Sequence, residues 1–225
     1  MFDTLLDLPL FRGVSRERIT EIVGKAKFHF LKFLPGSTFL RAGEACTHLK
    51  FILSGDVRLT FVNEDSRFNV SQTLTGPDVI LPDFLFGRAN TYPCYGEAVS
   101  TVSILEIEKS DYLNILSMDT VFLLNYVNYL SMNAQKAVDG VLSISSGNIE
   151  SRIAFWIISL TQPTGKDIVL QCRQRDLSSV FGVQRSSLVT ALENMRQSGL
   201  IEYGNDYINI LDRRALLNLV MQNRE

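Results

Sequence analysis

The spacing of hydrophobic residues changes along the chain and separates helical from β-rich stretches. Apolar residues recur at helical intervals over residues 3–26. Between 28 and 107 they form short runs with turn residues every ~8–12 positions, which is typical of an antiparallel sandwich or barrel. The helical spacing returns over 110–143. The pattern predicts an α+β fold in which the β-rich part comes first.

The clearest hairpin signal in the β-rich stretch is Ser54-Gly55, within the sequence FILSGDVRL. Serine and glycine favour tight turns, and both flanking runs are rich in strand-forming residues. We therefore expect the runs on either side of this dipeptide to pair with each other.

The helical stretch from 110 to 143 carries a broad apolar stripe. It contains no proline, and no glycine before Gly140. Such a helix can pack on the β-rich part of its own chain, on a second copy of itself, or on both with opposite sides. If a second copy covers this helix, the residues of the stripe that we assign to the dimer helix are Phe122, Tyr126, Leu130, Ala134 and Val138.

Gly147 and Asn148 interrupt this helical pattern. Asparagine is a favoured N-cap, so a new helix should begin after Asn148 and end before Pro163. Two helices that meet at a Gly-Asn joint would form a hinge between domains. A short strand is expected over DIVLQC, residues 167–172.

The segment from 174 to 198 meets the requirements of a helix-turn-helix. Two short helices that cross steeply need apolar residues at fixed offsets and a glycine where the chain turns at positive φ. Leu177 and Phe181 precede Gly182, and Leu188 follows it at the expected distance. Two β-rich runs around residues 204–206 then predict a hairpin, which completes a winged helix.

The second of these helices, predicted over 184–198, has a polar face made of one arginine and small polar groups. In a recognition helix this face enters the major groove, where Arg185 can pair with guanine and a hydroxyl or methyl can contact a base. The competing interpretation is a solvated face that binds another protein. The candidate DNA-binding residues are Gln184, Arg185, Ser186, Ser187, Thr190, Arg173 and Arg175.

Composition restricts these interpretations only weakly. The chain has 225 residues, of which 46% are hydrophobic, and a formal net charge of −2. Nucleic-acid binding needs local rather than global positive charge, so this balance permits DNA without arguing for it. No apolar run approaches the ~18 residues of a membrane span, and the start lacks a basic segment. We expect a cytoplasmic protein without a membrane partner.

The residues that usually hold metals are sparse. The three cysteines, Cys46, Cys94 and Cys172, form no CxxC pair, so neither a disulfide framework nor a zinc or iron–sulfur site is indicated. A cupin-like enzyme would need clustered histidines, and the chain has only His29 and His48. We expect no metal site and no catalysis.

The whole chain resembles the CRP/FNR family of transcription regulators, which includes the cyclic-AMP receptor and the fumarate–nitrate regulator. The resemblance is carried by LPLFRGVSRERITEIV, FLPGSTFLRAGEACTHLKFILSGDVRLT, VSILEIEKSDYLNIL, GNIESRIAFWIISL and DLSSVFGVQRSSLVTALENMRQSGLIEY. The last segment places Arg185 where the family has its base-reading arginine. The resemblance implies a β-roll (jelly-roll) effector domain similar to cyclic-nucleotide-binding domains at 1–109, a dimerisation helix and hinge at 110–147, and a winged-helix domain at 148–225.

The chain departs from the members of this family that bind cyclic AMP. Those members hold the cyclic phosphate with a Gly-Glu pair and a later Arg-Ser pair, whereas Pro82-Asp83 and Tyr92-Pro93 stand near these positions here. A buried phosphate without its arginine lacks a charge partner. Arg88 would replace that arginine only in a rebuilt loop. We therefore do not expect cyclic AMP to bind, and the sequence predicts no cofactor.

The resemblance implies a regulator that binds double-stranded DNA as a homodimer, with RNA polymerase as a further partner. The controlling signal stays open. One alternative is a small apolar effector, and a cyclic nucleotide held by a rebuilt phosphate loop is another. A module that binds no DNA is a third. The residues that would line an apolar effector pocket, unless they are ordinary core, are Phe84, Phe86, Arg88, Tyr92 and Tyr95.

Overall fold

The computed structural model describes residues 2–63, 67–143 and 147–222. The helices are α1 (Phe2–Leu6), α2 (Arg16–Lys25), α3 (Lys109–Met118), α4 (Thr120–Ser143), α5 (Ile149–Leu160), α6 (Gln174–Phe181), α7 (Arg185–Gln197) and α8 (Arg213–Gln222). The strands are β1 (Phe28–Phe33), β2 (Thr38–Leu40), β3 (His48–Ser54), β4 (Asp56–Val62), β5 (Phe68–Thr75), β6 (Asp78–Ile80), β7 (Cys94–Ala98), β8 (Val102–Glu108), β9 (Lys166–Cys172), β10 (Ile201–Tyr203) and β11 (Tyr207–Ile210).

The chain forms two compact units, and neither is a single continuous stretch of sequence. The first contains the residues up to 59 together with 74–133, and the second contains 60–73 and the chain from 134 onward. Residues 60–73, which the sequence assigned to the β-roll, therefore group with the C-terminal part of the chain.

The first unit has the predicted β-roll architecture. One antiparallel sheet has the strand order β1-β8-β3-β6, and β4, β7 and β2 are neighbours in another sheet. Strands with one buried side supply the core, for example through Phe51 of β3 and Leu105 of β8, which are fully buried. The predicted α+β fold is confirmed, with a β-roll first and helical elements after it.

The expected hairpin at Ser54-Gly55 is wrong. Strand β3 pairs with β8 on one edge and with β6 on the other, so no edge is left for β4. The chain instead turns a corner at Gly55, whose φ of +90° is one that residues with a side chain rarely adopt, and continues into the other sheet. A Ser-Gly dipeptide between two strand-like runs is compatible with a hairpin and with a corner between two sheets. The local sequence cannot distinguish them, because distant strands decide which strands pair.

The single long helix predicted from residue 110 is also interrupted. Helix α3 ends at Met118, and α4 begins at Thr120. The Asp119 carboxylate accepts hydrogen bonds from the backbone N–H groups of Val121 (2.8 Å) and Phe122 (3.2 Å), which is the geometry of an N-cap. The hydrophobic spacing continues across this break, so only the capping residue Asp119 indicates that a new helix begins here.

The start of α4 belongs to the core of the first unit, which corrects the assignment of two dimer-helix residues. The Phe122 ring lies 4.7 Å from that of Phe11, and the Tyr126 hydroxyl donates to the carbonyl of Pro82 at 2.9 Å. Both side chains are buried within the chain itself and would not be available to a second copy. Of the other residues assigned to this helix, Leu130 is partly buried, and Ala134 and Val138 are exposed.

The second unit is a helical domain on four neighbouring strands of the larger sheet, in the order β10-β11-β9-β5. Strand β5 comes from residues that precede the other three strands by almost a hundred positions. Its inward-facing residue Val70 is 2% exposed and belongs to the same hydrophobic core as Trp156, Leu188 and Met195. This strand is therefore part of the domain that carries the helix-turn-helix.

One carboxylate links the recognition helix to the strand that follows it. Glu193 of α7 accepts hydrogen bonds from Arg196 (2.6 and 2.9 Å), Gln197 (3.0 Å) and the Tyr203 hydroxyl of β10 (3.2 Å). These donors, with Arg196 the largest influence, lower the pKa of Glu193 to about 2. The carboxylate is therefore charged in the folded protein at all ordinary pH values.

Substitution of Gly55 by alanine should destabilise the protein more than the same change at Gly36. Both glycines have positive φ, +90° and +81°, so both variants carry backbone strain of about 1–2 kcal/mol. At position 55 the new Cβ would also lie 2.4 Å from the backbone oxygen of Thr101, whereas nothing lies within 4 Å at position 36. We expect an additional loss of about 1–3 kcal/mol for Gly55→Ala. Denaturant unfolding measures both variants, and equal losses would contradict the tight corner.

The Glu193→Gln variant should be less stable than the wild type above pH 4.5, and the difference should shrink as the pH falls toward 2. A carboxylate whose pKa is lowered on folding stabilises the native state only while it is charged, so its contribution disappears as protons bind. The free energy of unfolding measured at several pH values gives the difference directly. Glu202→Gln, at an exposed position of β10, controls for the loss of one carboxylate. A Glu193→Gln difference that is independent of pH would contradict the prediction.

Candidate nucleic-acid interface

The helix-turn-helix is formed by α6 and α7, which are joined at Gly182. This residue adopts the left-handed conformation (φ +61°), and the N–H of Val183 donates to the carbonyl of Ser178 at 3.1 Å to close the turn. Gln184 has an extended backbone and stands at the N-cap of α7. The predicted turn is therefore present at the expected residue, and α7 begins one residue later than the sequence suggested.

The apolar residues of this motif face inward, as predicted. Leu177 and Phe181 of α6 are buried, and so are Leu188, Ala191 and Leu192 of α7. Their burial leaves only one side of α7 in contact with solvent. The polar residues of α7 lie on the side opposite these buried apolar residues and therefore face solvent.

The structure brings the predicted DNA-binding residues together around the start of α7. Arg173, Arg175 and Arg185 line one open depression of about 530 Å³, together with Gln174 and the backbone and side chains of the wing tip. Three guanidinium groups outnumber the Asp206 carboxylate in this concavity, so it carries a local positive charge that the net charge of the chain does not reveal. The exposed residues of this group are Gln184, Arg185, Ser186, Ser187, Thr190, Arg173 and Arg175.

Gln174 is a site residue that sequence reasoning missed. Its side-chain oxygen lies 3.5 Å from Nη2 of Arg185, and its Nε2 donates to the carbonyl of Gly204 at 3.0 Å. The side chain is mostly buried, so it connects the guanidinium at the start of α7 to the wing. A glutamine at the first position of α6, next to an otherwise apolar interface, was the available signal.

The wing tip is held against the start of α6 by backbone hydrogen bonds. The N–H of Cys172 donates to the carbonyl of Asp206 at 2.8 Å, and the N–H of Gln174 donates to that of Asn205 at 3.1 Å. The hairpin β10–β11 therefore lies beside Arg173 and Arg175 in a fixed position. This places the wing and the recognition helix on one continuous surface.

The hydroxyl of Thr190 is already engaged within α7. It donates to the carbonyl of Ser186 at 3.0 Å, one turn earlier. Of the two contacts that the sequence suggested for Thr190, a methyl contact with a base fits this geometry better.

The cysteines are buried free thiols. Burial raises the pKa of Cys94 to about 12 and that of Cys172 to about 11, and it also raises the pKa of Cys46. Thiols with such pKa values stay protonated near neutral pH and are poor nucleophiles or metal ligands. Within residues 2–63, 67–143 and 147–222, no cluster of three or more histidine, cysteine or acidic side chains could hold a metal ion.

The same described ranges contain no helix with the length and apolar character needed to cross a membrane.

The residues suggested for an apolar effector pocket do not all face one interior. Tyr92 is buried and its hydroxyl donates to the carbonyl of His48 at 3.0 Å, whereas Tyr95 lies on the outer side of β7 and is half exposed. Phe84 and Phe86 are partly buried, and Arg88 is exposed. Tyr95 therefore cannot line the interior of the β-roll, because alternate residues of a strand point to opposite faces.

The predicted joint before α5 has the expected local geometry. Gly147 has a φ of +86°, and the Asn148 side chain accepts a hydrogen bond from the N–H of Ser151 at 2.8 Å as the N-cap of α5. The three residues before Gly147 lie outside the described residues. The role of Gly147 and Asn148 as a hinge stays a prediction.

Two family models match the chain, and together they cover more than two thirds of it. Residues 30–119 match the cyclic nucleotide-binding domain. Residues 151–219 match the Crp-like helix-turn-helix domain.

Curated relatives are similar over most of their length. The cyclic AMP receptor protein of Thermus thermophilus is 20% identical over 92% of this chain and 94% of its own. Electron transport regulator A of Shewanella oneidensis is 25% identical, with 84% of this chain and 76% of its own covered. The fumarate and nitrate reduction regulatory protein of Escherichia coli is 21% identical, with 84% and 77% covered.

The fold is also found among solved structures. The crystal structure of the Thermus thermophilus catabolite activator protein aligns with a TM-score of 0.54 at 17% identity, covering 95% of this chain and 99% of that one. An N-terminal β-roll of the cyclic-nucleotide-binding type is thus followed by a helix-turn-helix whose basic side faces outward. The chain belongs to the CRP/FNR family of DNA-binding transcription regulators.

Proposed function

We propose that this protein regulates transcription as a homodimer that reads a specific DNA sequence with the start of α7. The observation that carries the proposal is the exposed cluster of Arg173, Arg175 and Arg185 beside the wing. A recognition helix is inserted with its N-terminal residues toward the bases, and its flanking cations contact phosphates. Two helices related by a two-fold axis would then read half-sites about 34–36 Å apart, the spacing of helix-turn-helix dimers in general.

Arg185 has the main reading role in this proposal. A guanidinium can donate two parallel hydrogen bonds to O6 and N7 of guanine, which no other base pair offers in that arrangement. Gln174 lies within 3.5 Å and restricts the directions that the arginine side chain can take. Ser186 follows Arg185 directly and is exposed, so it adds a small hydroxyl beside the same base pair.

The exposed side of α4 supports a dimer formed by two copies of this helix. Positions 124, 127, 131, 134, 138 and 141 are spaced by three and four residues alternately, which is the seam of a two-stranded coiled coil. Val138 and Val141 in this seam are 59% and 70% exposed. Apolar residues at such exposure are expected to be covered, and a second copy of the same helix supplies the matching surface.

The signal that controls the protein is proposed to differ from cyclic AMP. Tyr92 stands where cyclic-AMP-binding relatives have an arginine, and it is buried with its hydroxyl bonded to the backbone of His48. A cyclic phosphate would have no cationic partner at this position. An apolar effector is not favoured over other signals, because Phe86 already packs against Tyr126 and beneath the amine of Lys109.

The Arg185→Ala variant should lose the preference for one base pair in each half-site, at a cost of about 1–3 kcal/mol. Arg175→Ala should instead weaken binding by a similar factor on every sequence, because a phosphate contact carries no sequence information. Selection of bound duplexes from random oligonucleotides gives the preferred site, and titrations of that site and of a scrambled duplex give the affinities. Equal losses of Arg185→Ala on both duplexes would contradict base reading.

A Val138→Glu substitution should convert the dimer to a monomer, since two buried carboxylates would face each other in the seam. Gln135→Glu adds the same charge at an exposed position outside the seam and should leave the dimer intact. Sedimentation velocity of the full chain distinguishes the two states. A Val138→Glu protein that remains dimeric while it is folded would place the dimer contact elsewhere.

A further inference from the structure

The strand β5 is fixed to the sheet of the helix-turn-helix unit along most of its length. It pairs antiparallel with β9 from Phe68 opposite Cys172 to Thr73 opposite Lys166. Its inward side chains enter the core: Val70 is buried, and the Phe68 ring lies 4.8 Å from that of Trp156. Residues 67–73 therefore belong to the compact unit that presents the recognition helix.

A second contact holds the far end of this strand in register. The side-chain oxygen of Gln72 accepts a hydrogen bond from the backbone N–H of Gln162 at 2.8 Å in a buried position. A Cβ at Gly165 would lie 2.3 Å from the same oxygen, so the glycine is needed for the approach. The strand is thus anchored at both ends of its pairing with β9.

The other face of this sheet is polar. Asn69, Gln171 and Tyr207 stand side by side on β5, β9 and β11, because they are paired positions in the two strand ladders. The Asn69 amide donates to the side-chain oxygen of Gln171 at 2.8 Å. Two exposed arginines lie at the same end of these strands, Arg67 before β5 and Arg173 after β9. These residues, with Asn209, line an open depression of about 550 Å³.

This depression is adjacent to the one beside the recognition helix. Arg173 and Asp206 line both, so the two concavities meet at the start of α6 and the wing tip. Among the residues that the structure describes, the charged groups that line the sheet side are two guanidinium groups and the Asp206 carboxylate. Its amides and phenol are neutral donors of the kind that bind phosphate oxygens.

We propose that this sheet face is a second DNA contact, which binds the phosphate backbone of the duplex outside the half-site read by α7. The face is defined by Arg67, Asn69, Gln171, Arg173, Tyr207 and Asn209. The inference rests on the proposed DNA-binding function and extends it. Its consequence is that strand β5 and the preceding Arg67, from the first half of the chain, contribute to affinity for DNA together with the helix-turn-helix.

The test is a salt titration of DNA affinity with the full-length Arg67→Ala and Asn69→Asp variants, on the selected site carrying long or short flanking duplex. The slope of log K against log salt is negative, and each phosphate contact that is lost reduces its magnitude by about 0.9. We expect Arg67→Ala to reduce the magnitude by about this amount on long duplexes, equally for selected and scrambled sequences. Asn69→Asp places a negative charge in the centre of the face, so it should weaken binding to long duplexes several-fold. Short duplexes should not distinguish either variant from the wild type.

Lys166→Ala is the matched control, because Lys166 is an exposed cation at the opposite end of β9. It should leave the salt slope unchanged. Circular dichroism and thermal unfolding confirm that each variant keeps the fold. If the wild type binds the selected site and Arg185→Ala loses its discrimination, but Arg67→Ala and Asn69→Asp bind as the wild type does, the sheet-face contact is wrong and the proposed function stands. If the wild type binds no duplex even at low salt, both fail.

Discussion

The packing of α6 on α7 around Gly182 is the constraint on which the functional surface depends. Burial of Leu177, Phe181 and Leu188 between the helices decides which side of α7 faces solvent. Apolar burial of this size stabilises the motif by several kcal/mol, which is more than any of its surface hydrogen bonds contributes. The outward position of Arg185 therefore follows from residues that never touch a ligand. Gln174 then restricts the orientation of the Arg185 side chain, since it connects the guanidinium to the wing.

The sequence predicted well the elements that are decided locally. The turn at Gly182, the cap at Asn148 and the wing hairpin all depend on residues within a few positions, so their chemistry could be recognised in one segment. The exposed candidates of α7 followed from the same reasoning, because helical spacing fixes which side chains share a face.

The errors have a common origin in distant pairing. The corner at Gly55 was read as a hairpin because the partners of β3 lie elsewhere in the chain. Phe122 and Tyr126 were assigned to a dimer because a stripe of apolar residues does not say which surface covers it. The assignment of β5 to the C-terminal sheet could not be predicted, since alternation in β5 and β9 is equally compatible with many neighbours. Gln174 was missed because a single polar residue in an interface has no periodic signal.

The shared strand has a consequence for how the C-terminal part of the chain behaves by itself. A fragment that began after α4 would keep the helix-turn-helix and the wing but would lack residues 67–73. The N–H and C=O groups of β9 that pair with β5 would then form a free sheet edge. The hydrophobic surface that Val70 and Phe68 now cover would be exposed to solvent. Such edges are templates for association with other chains. Solubility of the DNA-binding half is thus encoded in part by a strand that lies before α4 in the sequence.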